Sequence, residues 1–140
     1  MRKYLLAIFI IVLYSCSSNK ATNKPLYEVL SVNNDGGANI KFYEILTEAK
    51  EIRMLLGDDK LRRKIKERDV NNSNFIILNT GPTTETINKI KIEKVLETPT
   101  QIEIYVNDTQ KNIDINRADD ETLYPYTIVK VNSKKPIIIK

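Results

Sequence analysis

Side chains able to do covalent chemistry are scarce in this chain: none of its 140 residues is His or Trp, and Cys16 is the sole Cys. A Ser-His-Asp triad needs an imidazole base and a Cys-His dyad needs both partners, so neither can be built. One thiol also excludes a disulfide framework and a Cys- or His-rich metal site. Hydroxyls and carboxylates remain. Thr83, Thr84 and Thr86 are close enough to share a loop, but a hydroxyl attacks only when a positioned base takes its proton, and Glu85 and Lys89 form no known pattern with them. Asp58-Asp59 and Asp119-Asp120-Glu121 offer oxygen ligands of the kind hard cations prefer, yet neither has EF-hand spacing, and adjacent loop carboxylates are ordinarily solvated. The expectation is a chain that is not an enzyme and has no metal, no cofactor and no small-molecule substrate.

Cys16 has a different context. Arg2 and Lys3 precede an unbroken apolar run of nine residues, Leu5 to Leu13, too short to span a hydrocarbon core of roughly 30 Å. Residues 1–15 therefore read as a signal peptide. The end of the run, Leu13-Tyr14-Ser15-Cys16, resembles the lipobox of bacterial lipoproteins: aliphatic at −3, small at −1, then a Cys that receives a diacylglycerol thioether before cleavage. Tyr14 stands where a small residue is usual. The resemblance implies that Cys16 is the lipidated first residue of the mature chain, held to a membrane by three acyl chains; at about 0.8 kcal/mol per buried methylene, that is more than stable anchoring requires. Residues 16–25 are small and polar and end in Pro25, a composition expected for a flexible spacer. Ser17 is not the Asp of an inner-membrane retention signal, and no acidic cluster resembles a surface-export tag, so the expected location is the bacterial envelope, at the outer membrane facing the periplasm. Without Arg2 and Lys3 the charges are 20 Lys+Arg against 18 Asp+Glu, too balanced to suggest nucleic acid.

Residues 26–140 must then form one domain, and their pattern is mainly β. Ile and other β-branched residues recur in short runs punctuated by Asn, Gly and Pro, which predicts a small antiparallel β-sandwich or curled sheet with one or two short inserted helices. Leu26 to Val32 and Ile40 to Leu46 read as a hairpin about the turn Asn33-Asn34-Asp35-Gly36-Gly37. Thr47 is a candidate N-cap for a helix whose Ala49, Ile52, Leu55 and Leu56 share one face until Gly57. A second, highly basic helical stretch, Asp58 to Glu67, has only Leu61 and Ile65 as an apolar stripe, and its charges read as a solvated face ahead of a lipid-binding patch. Phe75-Ile76-Ile77-Leu78 predicts a central strand covered on both sides. Ile90 to Val106 predicts a long hairpin with a slip at Val95-Leu96, and Tyr124 to Val131 and Pro136 to Ile139 predict the final strands.

Three features occur in one order: the apolar strand running into Gly81-Pro82-Thr83-Thr84, the hairpin from Ile87 to Val106, and Tyr124-Pro125-Tyr126 opening an Ile-Val-Lys-Val strand. Together, over roughly Ile40 to Lys140, they resemble the C-terminal domain of the protease complex subunit PrcB family. Pro82-Thr83-Thr84 is also similar to the insertion loop of chagasin-type cysteine protease inhibitors, which have an immunoglobulin-like β-sandwich. Both families continue with Gly and Tyr where this chain has Glu85-Thr86, removing the glycine for close approach and the aromatic that fills a cleft. The resemblance implies a non-enzymatic, protein-binding accessory of a protease complex, with Gly81, Pro82, Thr83, Thr84, Tyr124, Pro125 and Tyr126 at the contact. The alternatives are a loop-inserting protease inhibitor and a structural lipoprotein touching anionic lipid through Lys60 to Arg68.

Overall fold

Strand β3 (Asn74–Asn79) is where the continuous apolar run lies, and it explains the architecture. Phe75 and Ile77 point to one core while Ile76 and Leu78 point to another, so the strand needs cover on both faces. The computed structural model describes residues 24–84, 90–108 and 121–140. The signal peptide, Cys16, most of the spacer, Glu85-Thr86, Lys89 and Asp119-Asp120 lie outside the described residues, as do residues 109–118.

In chain order the elements are β1 (Tyr27–Asn33), β2 (Phe42–Leu46), α1 (Ala49–Met54) with a 3-10 turn (Leu55–Gly57), α2 (Asp59–Arg62), α3 (Glu67–Asn72), β3, β4 (Ile90–Glu97), β5 (Ile102–Asp108), β6 (Tyr126–Val131) and β7 (Ile137–Ile139). A four-stranded antiparallel sheet has the order β1-β6-β3-β2 and a three-stranded mixed sheet the order β4-β5-β7. They stack as a sandwich whose core holds Ile76, Leu78, Val129 and Val131 against Ile90, Ile102 and Ile104. The helices cover the other face of the larger sheet, where Leu30, Leu46, Phe75 and Ile128 meet Ile52, Leu61, Ile65 and Val70. The fold is mainly β, as expected, in three layers: helices, four strands, three strands.

Several local expectations are corrected. The segments read as a first hairpin do not pair: β1 pairs with β6 and β2 with β3. The two most apolar strands, β3 and β6, occupy the centre because both of their faces are buried, which moves the more polar β1 and β2 to opposite edges. Thr47 is not the cap of α1; Glu48 is, and the N–H groups of Thr47 and Glu48 both donate to Glu51 Oε2 at 3.1 Å. The basic stretch is helical only over Asp59–Arg62, and a further short helix starts where the stretch was expected to end, at Glu67. Asp58 accepts from the N–H groups of Lys60 and Leu61 to start α2, and Asp69 accepts from the N–H of Lys66 to start α3. The slip in β4 falls at Glu93, between Ile92 and Lys94. Strand β7 runs parallel to β5, because the chain crosses from the first sheet to the second through Asn132 to Pro136 and arrives in the β5 direction.

The register defines two ends of the larger sheet. Tyr27, Val131 and Asn74 are aligned at one end; Asn33, Tyr126, Asn79 and Phe42 are aligned at the other. The polar stretch preceding the domain reaches the first end, at Pro25.

Candidate functional site

The second end of the sheet gathers three segments that are far apart in sequence. Thr83 and Leu123 form an isolated antiparallel bridge: the Thr83 N–H donates to the Leu123 carbonyl at 2.8 Å and the Leu123 N–H donates back at 2.7 Å. The Thr80 N–H donates to the Pro125 carbonyl at 3.0 Å. The β1–β2 connection joins them, the Gly37 N–H donating to the Tyr124 carbonyl at 2.7 Å and the Tyr124 N–H to Asp35 Oδ1 at 3.0 Å. The structure thus brings together the two segments singled out in the sequence, 81–84 and 124–126, and adds 35–41 as a third.

Asn79, the last residue of β3, organises that third segment. Its side chain is 2 % exposed; Oδ1 accepts the Ala38 N–H at 2.9 Å, while Nδ2 donates to the carbonyls of Ala38 and Ile40. An amide is the side chain that can both accept and donate in this way. Gly37 is required by close approach, since a Cβ there would overlap the Asn79 amide oxygen and come within 2.6 Å of the Tyr124 carbonyl oxygen. Gly81 has φ +78°, and a Cβ would lie 3.0 Å from the Lys41 nitrogen. Lys41 in turn pairs with Asp108 at the end of β5, tying the second sheet to the same cluster.

The seven residues play unequal parts. Gly81, Thr83 and Pro125 are buried and act as struts; Pro82, Thr84 and Tyr124 are half-buried at the rim. Tyr126 is also half-buried but packs against the helix-side core, and a Cβ on Gly36 would lie 3.7 Å from its Cε1. Sequence reasoning missed Asn79, Gly37 and Ile40. Ile40, taken as the start of a strand, precedes β2 and is 62 % exposed beside the cluster. An Asn closing an apolar strand before Thr-Gly was the available signal for Asn79. Gly37 and Ile40 had none, because their neighbours are set by long-range pairing.

Of the acidic groups singled out in the sequence, Asp58 and Asp59 have structural partners. Asp58 is a helix cap, Asp59 pairs with Arg62 at 2.5 Å, and among the described residues no group of three or more His, Cys, Asp or Glu is placed to hold a metal ion. A cluster of perturbed charges lies elsewhere, on the outer face of the smaller sheet. Glu103 accepts from Lys140 Nζ at 3.1 Å, Gln101 Nε2 at 2.9 Å and the Tyr105 hydroxyl at 3.1 Å, and these bonds, the Lys140 one foremost, hold its carboxyl below the usual range. Lys140 is raised in return, chiefly by the same bond. A depressed carboxyl contributes stability above its ordinary pKa and loses it as pH falls through the folded value. Lys140→Gln should therefore raise the Glu103 pKa toward the ordinary value in a carboxyl NMR titration; no movement would remove Lys140 as the cause.

Among the described residues no helix is long and apolar enough to cross a membrane. Comparison with known proteins returned nothing: no family model, curated protein or solved structure matches this chain.

Proposed function

We propose that this protein is a lipid-anchored, non-enzymatic domain of the bacterial envelope that binds another protein through the loop cluster of residues 35–41, 80–84 and 121–125. The observation that carries the reading is placement. The polar stretch reaches the domain at Pro25, next to the Tyr27–Val131 end of the sheet, and the cluster is at the Asn33–Tyr126 end. At about 3.4 Å per residue the six residues of β6 separate the two ends by roughly 17 Å. A domain tethered at one end would present the other to a partner. The cluster suits that task because its backbone is stitched to three segments while Pro82, Thr84, Tyr124 and Ile40 remain accessible, so little conformational entropy is lost on contact. Tyr in a rigid setting is a frequent interface anchor.

The likeness to the PrcB family makes a protease complex the first partner to seek. Loop insertion into a protease cleft is the less favoured form of contact, because Thr83 is 2 % exposed and both of its backbone polar groups are bonded to Leu123.

The anchor is tested by Cys16→Ser. Cell fractionation should find the native chain in the membrane pellet and the variant in the soluble periplasmic fraction; a variant that still sediments with membranes would refute lipid anchoring. Crosslinking in intact cells followed by mass spectrometry should recover one protein with the anchored form and lose it with Cys16→Ser. Recovery of abundant membrane proteins alone would count against a protein partner.

A further inference from the structure

The opposite end of the domain carries a different feature, independent of the protein-contact reading. A cavity of about 270 Å³ opens where β1 begins, β6 ends and the chain turns into α3. Five cationic side chains line it: Lys24, Lys64, Lys66, Arg68 and Lys130. Two carboxylates, Glu28 and Asp69, oppose them, leaving 5 − 2 = +3.

Lys130 makes the arrangement unusual. On β6 it shares a face with Tyr126 and Ile128, so it lies toward the helix layer, and it is 8 % exposed. Its ammonium lies 2.9 Å from Glu28 Oε2 and 3.7 Å from Asp69 Oδ2. Asp69 is already committed, since Oδ2 accepts the Lys66 N–H at 2.9 Å and Oδ1 lies 3.9 Å from Arg68 Nε. Lys64 donates to the Leu30 carbonyl, and among the described residues no carboxylate lies within ion-pair distance of Lys24, Lys64 or Lys66. Glu28 and Asp69 therefore offset Lys130, and the positive excess is carried by Lys24, Lys64, Lys66 and Arg68 around the mouth, where like charges held close together favour an added anion.

The geometry points to a binding site for a phosphate group, with Lys130 at its base and Lys24, Lys64, Lys66 and Arg68 around its mouth. A doubly charged group with several acceptor oxygens matches this excess better than a single carboxylate does. The cavity has room for the group esterified to a larger molecule. Two sources share the chemistry: the headgroup of an anionic lipid and a soluble phosphate ester. The position beside Pro25, where a tethered chain would face the membrane, favours the lipid.

The test uses the full chain carrying Cys16→Ser, so that no acyl chain contributes, with inorganic phosphate as one probe and phosphatidylcholine vesicles with or without phosphatidic acid as the other. Phosphate should shift the backbone amides of residues 64–69 and 130 saturably in NMR spectra. The double variant Lys66→Gln/Arg68→Gln should weaken that binding by about ten-fold or more, while Lys60→Gln/Arg62→Gln, which removes the same charge outside the cavity, should change it by less than about two-fold. Vesicles with phosphatidic acid that compete with phosphate identify a lipid source; saturable phosphate binding without vesicle competition identifies a soluble one, and both support the site. Absence of saturable shifts with either probe, or equal loss in both double variants, overturns it. Unchanged thermal unfolding in both variants separates loss of the site from loss of fold.

Discussion

Asn79→Asp will destabilise the fold by about 3 kcal/mol at neutral pH although it changes almost no volume, because it reverses the polarity of a buried bridge. The native amide donates to the carbonyls of Ala38 and Ile40 and accepts the Ala38 N–H. A carboxylate keeps the acceptor but places a second negative oxygen against two carbonyl oxygens, so the β1–β2 connection should detach from β3. The sign of the pH effect follows. The introduced carboxyl is worse when ionised, so its folded pKa lies above the unfolded value of about 3.9, and the penalty grows as pH rises through that range and eases below it. Urea unfolding at two pH values measures this. Gly37→Ala should produce a comparable loss by steric means, through the same amide and the Tyr124 carbonyl. Losses below about 0.5 kcal/mol for both would mean that the three segments are not held together as described.

Phe75→Ala and Ile76→Ala should each cost about 3–4 kcal/mol, near the limit a domain of this size tolerates. The two residues are consecutive on β3 and both 0 % exposed, but Phe75 faces the helices and Ile76 the second sheet. Large, similar losses at adjacent positions require cover on both faces. Val29→Ala, at an edge position 46 % exposed, is the control and should cost less than about 1 kcal/mol. A small effect at Phe75 beside a large one at Ile76 would show that the helix layer is not packed on the sheet.

What could be read from the sequence was local. The uninterrupted run at Phe75 to Leu78 announced a strand buried on both sides, the spacing of Ile52, Leu55 and Leu56 announced a helix against a sheet, and alternation from Ile90 to Val106 announced the β4–β5 hairpin. Strand order was not local. Asn33 to Gly37 has the composition of a hairpin turn, yet Gly36, at φ +95°, and Gly37 serve contacts with Tyr126 and Tyr124 some ninety positions away. For the candidate site, the segments at 81–84 and 124–126 came from the family resemblance, and the structure brings them together beside the Thr83–Leu123 bridge. The role of Asn79 was not legible, because only the approach of 38–40 gives its amide partners. The burial of Lys130 was not legible for a related reason: period-two alternation separates two faces of a strand but cannot tell which face a helix will cover.

The most direct test of the central claim is site-specific photocrosslinking in intact cells, with the photoreactive residue at Thr84 or Tyr124 in the cluster and, for comparison, at Glu93 on the smaller sheet. The account predicts capture of the same single protein from Thr84 and Tyr124, none from Glu93, and loss of capture when Cys16→Ser releases the domain from the membrane. Equal capture from all three positions, or capture that ignores the anchor, would contradict a partner surface built from this loop cluster.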